Sequence, residues 1–263
     1  VIKRQKNILR VKMTDLVSII TPMYNSEAFI EETIKSVTHQ SYKKWEMLII
    51  DDGSIDNSIN IVKGYVKRDK RIKLIEKEKN QGAAITRNIG IKESIGRYIA
   101  FLDSDDLWMS TKLEDQIIFM TNNKTVLSYS SYEKIDELGN HLKNVNIIKT
   151  RPTYHDLLKS NHIGCLTAMI DLKLMNGEKP YMPNIKTRHD HGLWLSILLK
   201  GFKVLGNPKV LAKYRYRPGS ISFSKVKSGY YQWKLYRHVE GINILSSIYY
   251  MIHWAWYGML KRM

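Results

Sequence analysis

Three carboxylates stand almost side by side at the end of the apolar stretch IAFLDSDDLWM, residues 99–109. They belong to Asp103, Asp105 and Asp106, and their mutual repulsion is unfavourable unless water, a base or a metal compensates. Two carboxylates one residue apart can coordinate a hard divalent cation, and such a cation commonly bridges phosphates. Because an isolated Asp-x-Asp pair is common by chance, its place in the fold must decide its meaning.

A second acid pair, Asp51 and Asp52, ends the apolar run in WEMLIIDDGS. Taken alone, this pair fits ordinary turn residues as well as it fits a ligand site. The carboxyl ends of parallel strands meet at one edge of a sheet, where α/β proteins bind their ligands. Two acid clusters at such strand ends therefore favour a shared site.

The elements that must position these acids alternate along the first half of the chain. The apolar runs LVSIIT, WEMLII, IKLIE and RYIAFL predict buried strands, and the segments between them carry apolar residues at helical spacing. The first strand is predicted to end at Thr21, because Pro22 follows it. This alternation predicts a Rossmann-like α/β fold with a mainly parallel sheet flanked by helices.

Beyond residue 122 the pattern changes. The segments TVLSYSSYEKID and IGCLTAMID predict strands, HDHGLWLSILLKG predicts a helix that ends at Gly201, and KVLAKYRYRPGSIS reads as a basic strand. No repeat or Pro-rich linker separates these parts. We therefore divide the chain into a basic leader, two halves of one domain and a helical C-terminal tail: 1–14, 15–122, 123–222 and 223–263.

The composition points to an anionic partner. Lysine and arginine number 42 against 25 acidic residues, for a formal net charge of +17. Nucleic acid, an anionic membrane surface and a phosphate-bearing substrate are the candidates. The single cysteine, Cys165, excludes an intramolecular disulfide framework, and the basic N-terminus lacks the apolar core and cleavage site of a signal peptide. We expect a cytoplasmic protein.

Five motifs now resemble a known family. VSIITPMYN, LIIDDGSIDNS, NQGAAITRNIG, YIAFLDSDD and HDHGLWL stand in the order and at the spacing of the inverting family 2 glycosyltransferases with the GT-A fold, over residues 15–220. The pattern looks most like transferases of the capsular-polysaccharide and teichuronic-acid type. The resemblance implies transfer of a sugar from a nucleotide-sugar to a hydroxyl of a saccharide or lipid-linked oligosaccharide acceptor. Residues 15–122 would bind the donor and residues 123–222 the acceptor.

The resemblance assigns the nucleotide base to the first strand-to-helix loop. Thr21, Pro22 and Tyr24 would hold the base, and the Tyr24 ring can stack on uracil; the alternative is a loop aromatic packed on the core. Asp52 matches the carboxylate that accepts the N3 proton of uracil. These matches imply a UDP-sugar donor.

The same resemblance places the donor phosphates and the metal. Arg87 would lie near the nucleotide, since its planar fork suits phosphate, although it could instead pair with a neighbouring aspartate. Asp103, with Ser104 beside it, would lie near the ribose. Asp105 would bind the divalent cation, Mn²⁺ or Mg²⁺, while Asp106 could serve for orientation only.

Asp190 matches the general base, which accepts the proton of the acceptor hydroxyl as its oxygen attacks. The alternative is an N-cap for a helix over residues 191–200. His189 stands where many relatives carry a glutamate. Its i, i+2 spacing from His191 argues against a shared metal ion, and we expect both imidazoles at the polar surface.

Four further residues are possible contacts to the acceptor or to the diphosphate: His189, Trp194, Arg215 and Arg217. A tryptophan among leucines on a helix is more often part of the core. The segment YRYRPGSIS, residues 214–222, could close over the donor diphosphate.

The tail GINILSSIYYMIHWAWYGML contains no charged residue other than histidine. Leu245, Ile248, Ile252, Trp256 and Met259 fall near one face of the predicted helix, which is typical of a helix that lies on an anionic membrane surface. Packing on the domain itself or on a second copy in a homodimer is the alternative.

A nucleic-acid-binding protein is the rival function from another class. It accounts for the lysines, but acid clusters at the strand ends would repel a phosphate backbone. A dinucleotide-dependent enzyme is disfavoured because TPMYNSEAF replaces a Gly-x-Gly-x-x-Gly turn after the first strand. We therefore expect no nucleic-acid partner.

Overall fold

The computed structural model describes residues 14–146, 148–217 and 225–260, and within these ranges it contains one nine-stranded sheet. The leader predicted over residues 1–14 lies almost wholly outside the described residues. Residues 218–222, which belong to the segment expected to close over the diphosphate, also lie outside them.

The first half consists of repeated β-α units. Its strands run in the order β3-β2-β1-β4, and all three pairings are parallel. The strands are β1 (Val17–Met23), β2 (Trp45–Asp51), β3 (Ile72–Glu76) and β4 (Tyr98–Phe101), and the helices are α1 (Ile30–Thr38), α2 (Ser58–Arg68) and α3 (Ala83–Glu93). The predicted α/β alternation is confirmed.

The second half continues the same sheet in the order β4-β8-β6-β9-β5, with β7 paired to β6. Only the β6–β9 pairing is parallel. Its strands are β5 (Leu107–Trp108), β6 (Leu127–Ile135), β7 (His141–Asn146), β8 (Met169–Asp171) and β9 (Val204–Arg215), and its helices are α4 (Lys112–Asn123), α5 (Tyr154–Lys159) and α6 (His189–Leu199).

Two predicted boundaries are wrong. β1 continues through Pro22 to Met23. The Ile20 carbonyl accepts from Leu102 N on the β4 side, and alternate residues of a parallel strand face the same neighbour. Pro22 therefore faces β4 beyond its last residue, where the missing N–H costs no ladder bond. The run IGCLTAMID begins as a 3₁₀ turn, Cys165–Thr167, and only its last three residues pair in the sheet.

Both faces of the sheet are covered. The side chain of Ile19 packs toward α1 and α4, whereas Ile20 packs toward the opposite face, where α3, α5 and α6 lie. This alternation follows from the two-residue period of a strand. Helix α3 comes very close to β1 at Gly90, where an added Cβ would lie 2.5 Å from Ile20 Cγ2 and 2.9 Å from Ile50 Cδ1.

The tail folds back onto the second half. It consists of α7 (Lys225–Lys234), one π-helical turn (Leu235–Val239) and α8 (Ile244–Leu260). Tyr236 is fully buried and donates to the Leu158 carbonyl. In the part of the chain that the structure describes, every helix is too short or too polar to cross a membrane.

The Gly90→Ala substitution should destabilise the protein by about 1–3 kcal/mol, because the new methyl group overpacks the α3–β1 contact. Gly64→Ala is the matched control: Gly64 also lies inside a helix, with nothing within 4 Å of the added Cβ. It should raise stability by roughly 0.5–1 kcal/mol, the helix propensity gain. Thermal unfolding of the two variants measures both changes in stability. An equal change in the two variants would contradict the close packing at Gly90.

Candidate active site

A cleft of about 620 Å³ opens where the carboxyl ends of β1, β2 and β4 meet the start of α6. Most of the residues that the sequence singled out line it together: Pro22, Tyr24, Asp52, Arg87, Asp103, Ser104, Asp105, Asp190 and Arg217. The predicted convergence of acids from separate strand ends is therefore present. Its volume falls in the range of small-molecule sites.

Asp52 is held by the loop that precedes α3. Its Oδ1 accepts from Lys77 Nζ and from Gln81 N at 2.9 Å, and its Oδ2 accepts from Gly82 N at 2.8 Å. Burial alone raises the pKa of Asp52, but the Lys77 ammonium and the two backbone donors outweigh it, so the pKa lies below its ordinary value. Gly82 takes φ +91°, which glycine adopts without strain.

A chain of buried contacts joins β4 to α6. Arg87 donates to the Asp103 carboxylate through one terminal nitrogen, and its other terminal nitrogen lies 2.6 Å from His189 Nε2. An arginine can only donate, so His189 Nε2 must be an unprotonated acceptor. Burial and the Arg87 charge lower the pKa of His189 to about 4. The alternative pairing of Arg87 with a neighbouring aspartate is thus the arrangement observed.

The three acids of the opening motif point in different directions. Asp105 Oδ2 lies 2.6 Å from a terminal nitrogen of Arg217 at the cleft, and burial together with Asp103 raises the pKa of Asp105. Asp106 is buried, and its Oδ1 accepts from the backbone N of Arg215 at 2.8 Å. Asp106 therefore orients β9 rather than facing the cleft.

Asp190 stands in the first turn of α6, at the edge of the cleft. The helix begins at His189 and its N-cap is Arg188, so the alternative of an Asp190 N-cap is wrong. None of the hydrogen bonds or ion pairs between described residues uses the Asp190 carboxylate. Asp190 is free to accept a proton from a bound molecule.

Several expected contacts are wrong. Trp194 is 0% exposed and packs edge-on against Phe101 in the core. The Arg215 side chain is also buried, where it bonds the backbone of Asp105 and Glu137 instead of reaching the cleft. Thr21 is buried within β1 and does not line the cleft.

The expectation of surface histidines is also wrong. His189 lies behind Arg87, while His191 is fully buried with its Nε2 2.9 Å from the Leu157 carbonyl. Burial is the leading cause that lowers the pKa of His191, also to about 4. The two imidazoles do face different elements, as their spacing predicts.

The cleft also contains residues that sequence reasoning missed: Asn80, Thr86, Lys186, Arg188 and Ser228. Asn80 and Thr86 belong to the NQGAAITRNIG motif that also contains Arg87. Lys186 and Arg188 lie within four residues of Asp190, and this proximity is the available signal. Ser228 has no signal in the sequence, because only the return of α7 brings it to the cleft.

Repeated β-α units followed by a second half that extends the same sheet form the GT-A fold. Residues 18–173 match the model of glycosyl transferase family 2. The chain belongs to glycosyl transferase family 2. This membership does not favour the nucleic-acid-binding alternative.

Relatives match nearly the whole chain. TuaG of Bacillus subtilis (strain 168), named for teichuronic acid biosynthesis, is 41% identical over 94% of this chain and 98% of its own. The Escherichia coli protein WfgD is 40% identical over 94% of this chain and 95% of its own, and is named UDP-Glc:alpha-D-GlcNAc-diphosphoundecaprenol beta-1,3-glucosyltransferase.

Solved structures share the fold. The 1-349 fragment of S. aureus TarS in complex with UDP-GlcNAc has a TM-score of 0.69 and 20% identity, over 91% of this chain and 71% of that one. The mannosyltransferase PcManGT from Pyrobaculum calidifontis, in complex with GDP-Man and Mn²⁺, has a TM-score of 0.67 and 16% identity, over 89% and 69% of the two chains.

The two buried imidazoles should make stability depend on pH. Their folded pKa values, about 4, lie below the ordinary 6.5, so the unfolded chain binds more protons between these values. Their contribution is full above pH 6.5 and is lost as pH falls toward 4, by roughly 1–3 kcal/mol per imidazole. Between pH 7.5 and 4.5, the melting temperature should therefore fall less steeply in a His189→Gln, His191→Gln double variant than in the wild type.

The matched control for this experiment is His238→Gln, at an exposed imidazole. It should keep the wild-type slope, because it leaves both buried imidazoles in place. Asp105 and Asp106, whose pKa values are raised, are present in the wild type and in every variant. Their effect therefore cancels when the slopes of variant and wild type are compared. An unchanged slope in the double variant would contradict the burial argument.

Proposed function

We propose that the protein transfers a sugar from a UDP-sugar to a hydroxyl of a saccharide or lipid-linked acceptor in bacterial surface polysaccharide synthesis. The observation that carries this proposal is one cleft lined by Asp52, Asp103, Asp105 and Asp190. Asp103 and Asp105 would act on the donor diphosphate through a metal ion. Asp190, from another part of the chain, would act on the acceptor hydroxyl. The names of WfgD and TuaG support the acceptor class and the process.

Two residues support uridine as the nucleoside. The Tyr24 side chain is 48% exposed at the cleft, so its ring is available to stack on a base. Asp52 Oδ2 has accepted one hydrogen bond, and a carboxylate oxygen has room for a second, such as one from uracil N3–H. The UDP-Glc in the name of WfgD agrees with this reading.

The carboxylates at the cleft fit a divalent cation such as Mn²⁺ or Mg²⁺. Asp103 and Asp105 supply hard oxygen ligands, and burial together with the Asp103 charge raises the pKa of Asp105, an effect that a bound cation would oppose. No cluster of three metal-binding side chains occurs among the described residues, so the substrate or water must complete the coordination sphere. Asp105, with Asp103 beside it, would hold the ion, which would offset charge on the departing diphosphate.

The protein's own groups account for the remaining steps. Asp190, whose carboxylate makes no hydrogen bond or ion pair with another described residue, would accept the proton of the acceptor hydroxyl while the oxygen attacks the sugar from the side opposite the diphosphate. Direct displacement inverts the anomeric carbon. Arg87, oriented by Asp103 and His189, and Arg217, at Asp105, would counter the phosphate charge. Residues 15–122 would thus hold the donor and residues 123–222 the acceptor.

We propose that α8 rests on an anionic membrane surface at the cytoplasmic face. The predicted stripe is exposed: Leu245 81%, Ile248 45%, Ile252 65%, Trp256 57% and Met259 57%. No acidic residue occurs between Asp190 and Glu240, and Lys227 is exposed on the preceding helix. A second copy would place like charges together in a symmetric pair, whereas anionic lipid complements them. A homodimer through α8 is the competing outcome.

Asp190→Asn should lower transfer from UDP-sugars to lipid-linked GlcNAc diphosphate by roughly 10²–10⁴-fold, the usual size of a lost general base. Binding of UDP with Mn²⁺ should persist, because Asp190 serves the acceptor. Asp105→Asn should abolish the manganese-dependent thermal shift with UDP. Glu178→Gln, at an exposed carboxylate ion-paired to Lys200, is the control and should keep both activities.

The donor panel for this experiment contains UDP, GDP, CMP and ADP, each with and without Mn²⁺. A manganese-dependent shift with GDP alone would overturn the choice of uridine while leaving the transferase intact. Full transfer activity in the Asp190→Asn variant would show that Asp190 is not the general base. Absence of any nucleotide effect, together with binding to DNA or RNA, would overturn the proposed function as a whole.

A Leu245→Ser, Ile252→Ser, Trp256→Ser triple variant should lose sedimentation with phosphatidylglycerol vesicles and keep UDP binding. Phosphatidylcholine vesicles should bind the wild type less, because they lack the anionic charge. The control substitutes serine at three equally exposed apolar residues elsewhere: Ile55, Ile95 and Leu138. A wild-type dimer that only the tail variant dissociates, without vesicle binding, would assign the stripe to a second copy.

A further inference from the structure

Arg188 is a cation of the cleft on which the Asp190 charge acts without forming an ion pair. Its side chain lines the cleft, its Nε is buried without a hydrogen-bond partner, and none of the ion pairs between described residues includes it. Burial lowers the pKa of this guanidinium. A buried guanidinium nitrogen without a hydrogen-bond partner is costly, and a bound anion would offset that cost.

The cations beside the acids at the strand ends differ in this respect. Arg87 pairs with Asp103 and Arg217 with Asp105 in the cleft, and Lys77 pairs with Asp52 next to it. Each of these charges neutralises an acid that the donor site already contains. Arg188 stands instead within two residues of Asp190, on the side where the acceptor hydroxyl must arrive.

The backbone of Arg188 is held in an unfavourable conformation. Its φ of +69° and ψ of +9° lie in the left-handed region, which costs a residue with a Cβ about 1–2 kcal/mol. Such outliers persist where the surrounding structure fixes them, and they gather at ligand-binding positions. Here the Arg188 carbonyl accepts from Gly192 N, and the guanidinium lies 5.6 Å from the ring centroid of Trp254 on α8.

Trp254 connects this arginine to the exposed tail. Ser247, Tyr250 and Trp254 lie on the inner side of α8, where Ser247 and Tyr250 are buried. At 100° per residue, Trp254 lies opposite the stripe that contains Ile252 and Trp256. The helix, about 10 Å in diameter, thus separates Arg188 from the surface that the stripe presents.

We propose that Arg188 binds the diphosphate of a lipid-linked acceptor, with Lys186 nearby. The Trp254 ring would orient the guanidinium through their cation–π contact. This inference rests on the proposed function. The diphosphate would lie at the rim of the cleft, the sugar it carries would extend toward Asp190, and the lipid chain would pass α8 toward the surface on which the stripe rests. The donor also carries a diphosphate, so the experiment must separate the two sources.

The probes are farnesyl diphosphate, as a soluble polyprenyl diphosphate, and UDP with Mn²⁺, each titrated separately by calorimetry. Arg188→Gln should weaken farnesyl diphosphate binding at least tenfold and leave the Kd of UDP within twofold. Arg188→Lys should bind it with intermediate affinity, since lysine keeps the charge and loses the planar fork. Arg151→Gln, at an exposed arginine outside the cleft, is the matched control and should bind both probes normally.

Trp254→Leu tests the positioning role of the ring. It should raise the KM for the lipid-linked acceptor severalfold without changing the KM for the UDP-sugar, while thermal unfolding reports whether the tail remains folded. An Arg188→Gln variant that binds both probes normally would overturn the proposal. Loss of UDP binding alone would assign Arg188 to the donor and overturn the acceptor site.

The failure of this inference differs from the failure of the proposed function. Farnesyl diphosphate binding needs neither donor nor transfer, so it is measured whatever the reaction proves to be. Binding that depends on Arg188 in a protein that transfers no sugar would support the anion site and overturn the transferase. Transfer that is independent of Arg188, at unchanged KM for the acceptor, would support the transferase and overturn this site.

Discussion

Repulsion between carboxylates gathered at the strand ends is the constraint on which the rest of the site depends. The fold meets it by bringing a cation from elsewhere in the chain to Asp52, Asp103 and Asp105. Lys77 reaches Asp52 from the end of β3, Arg87 reaches Asp103 from α3, and Arg217 reaches Asp105 from the end of β9. Since each pair joins two elements, neutralising the acids also fixes the walls of the cleft.

Asp106 does not line the cleft, and its contacts are with buried groups of the protein. Asp106 accepts from the backbone of Arg215, and the fully buried Arg215 side chain bonds the Asp105 carbonyl and Glu32. A buried guanidinium is stable only when such partners surround it. This network connects the acid loop, α1 and the end of β9, so the second half of the sheet is joined directly to the loop that carries Asp103 and Asp105.

Two side chains at the start of α6, Asp190 and Arg188, form no hydrogen bond or ion pair with another described residue. Asp52, Asp103 and Asp105 are each paired with a cation, whereas these two side chains remain available to a bound molecule. The tail shows the same division, because one side of α8 packs on the domain while the opposite side exposes large apolar residues.

The sequence by itself determined the β-α alternation, the bounds of β3, the strand ends that carry the acids and the family, because hydrophobic period and local motifs are written along the chain. Only the tertiary structure decided that Pro22 stays within β1, that Trp194 and Arg215 are buried, and that Arg188 lies over the Trp254 ring. These outcomes depend on where β4 ends, how α6 packs and how the tail returns, which are contacts between residues far apart in sequence.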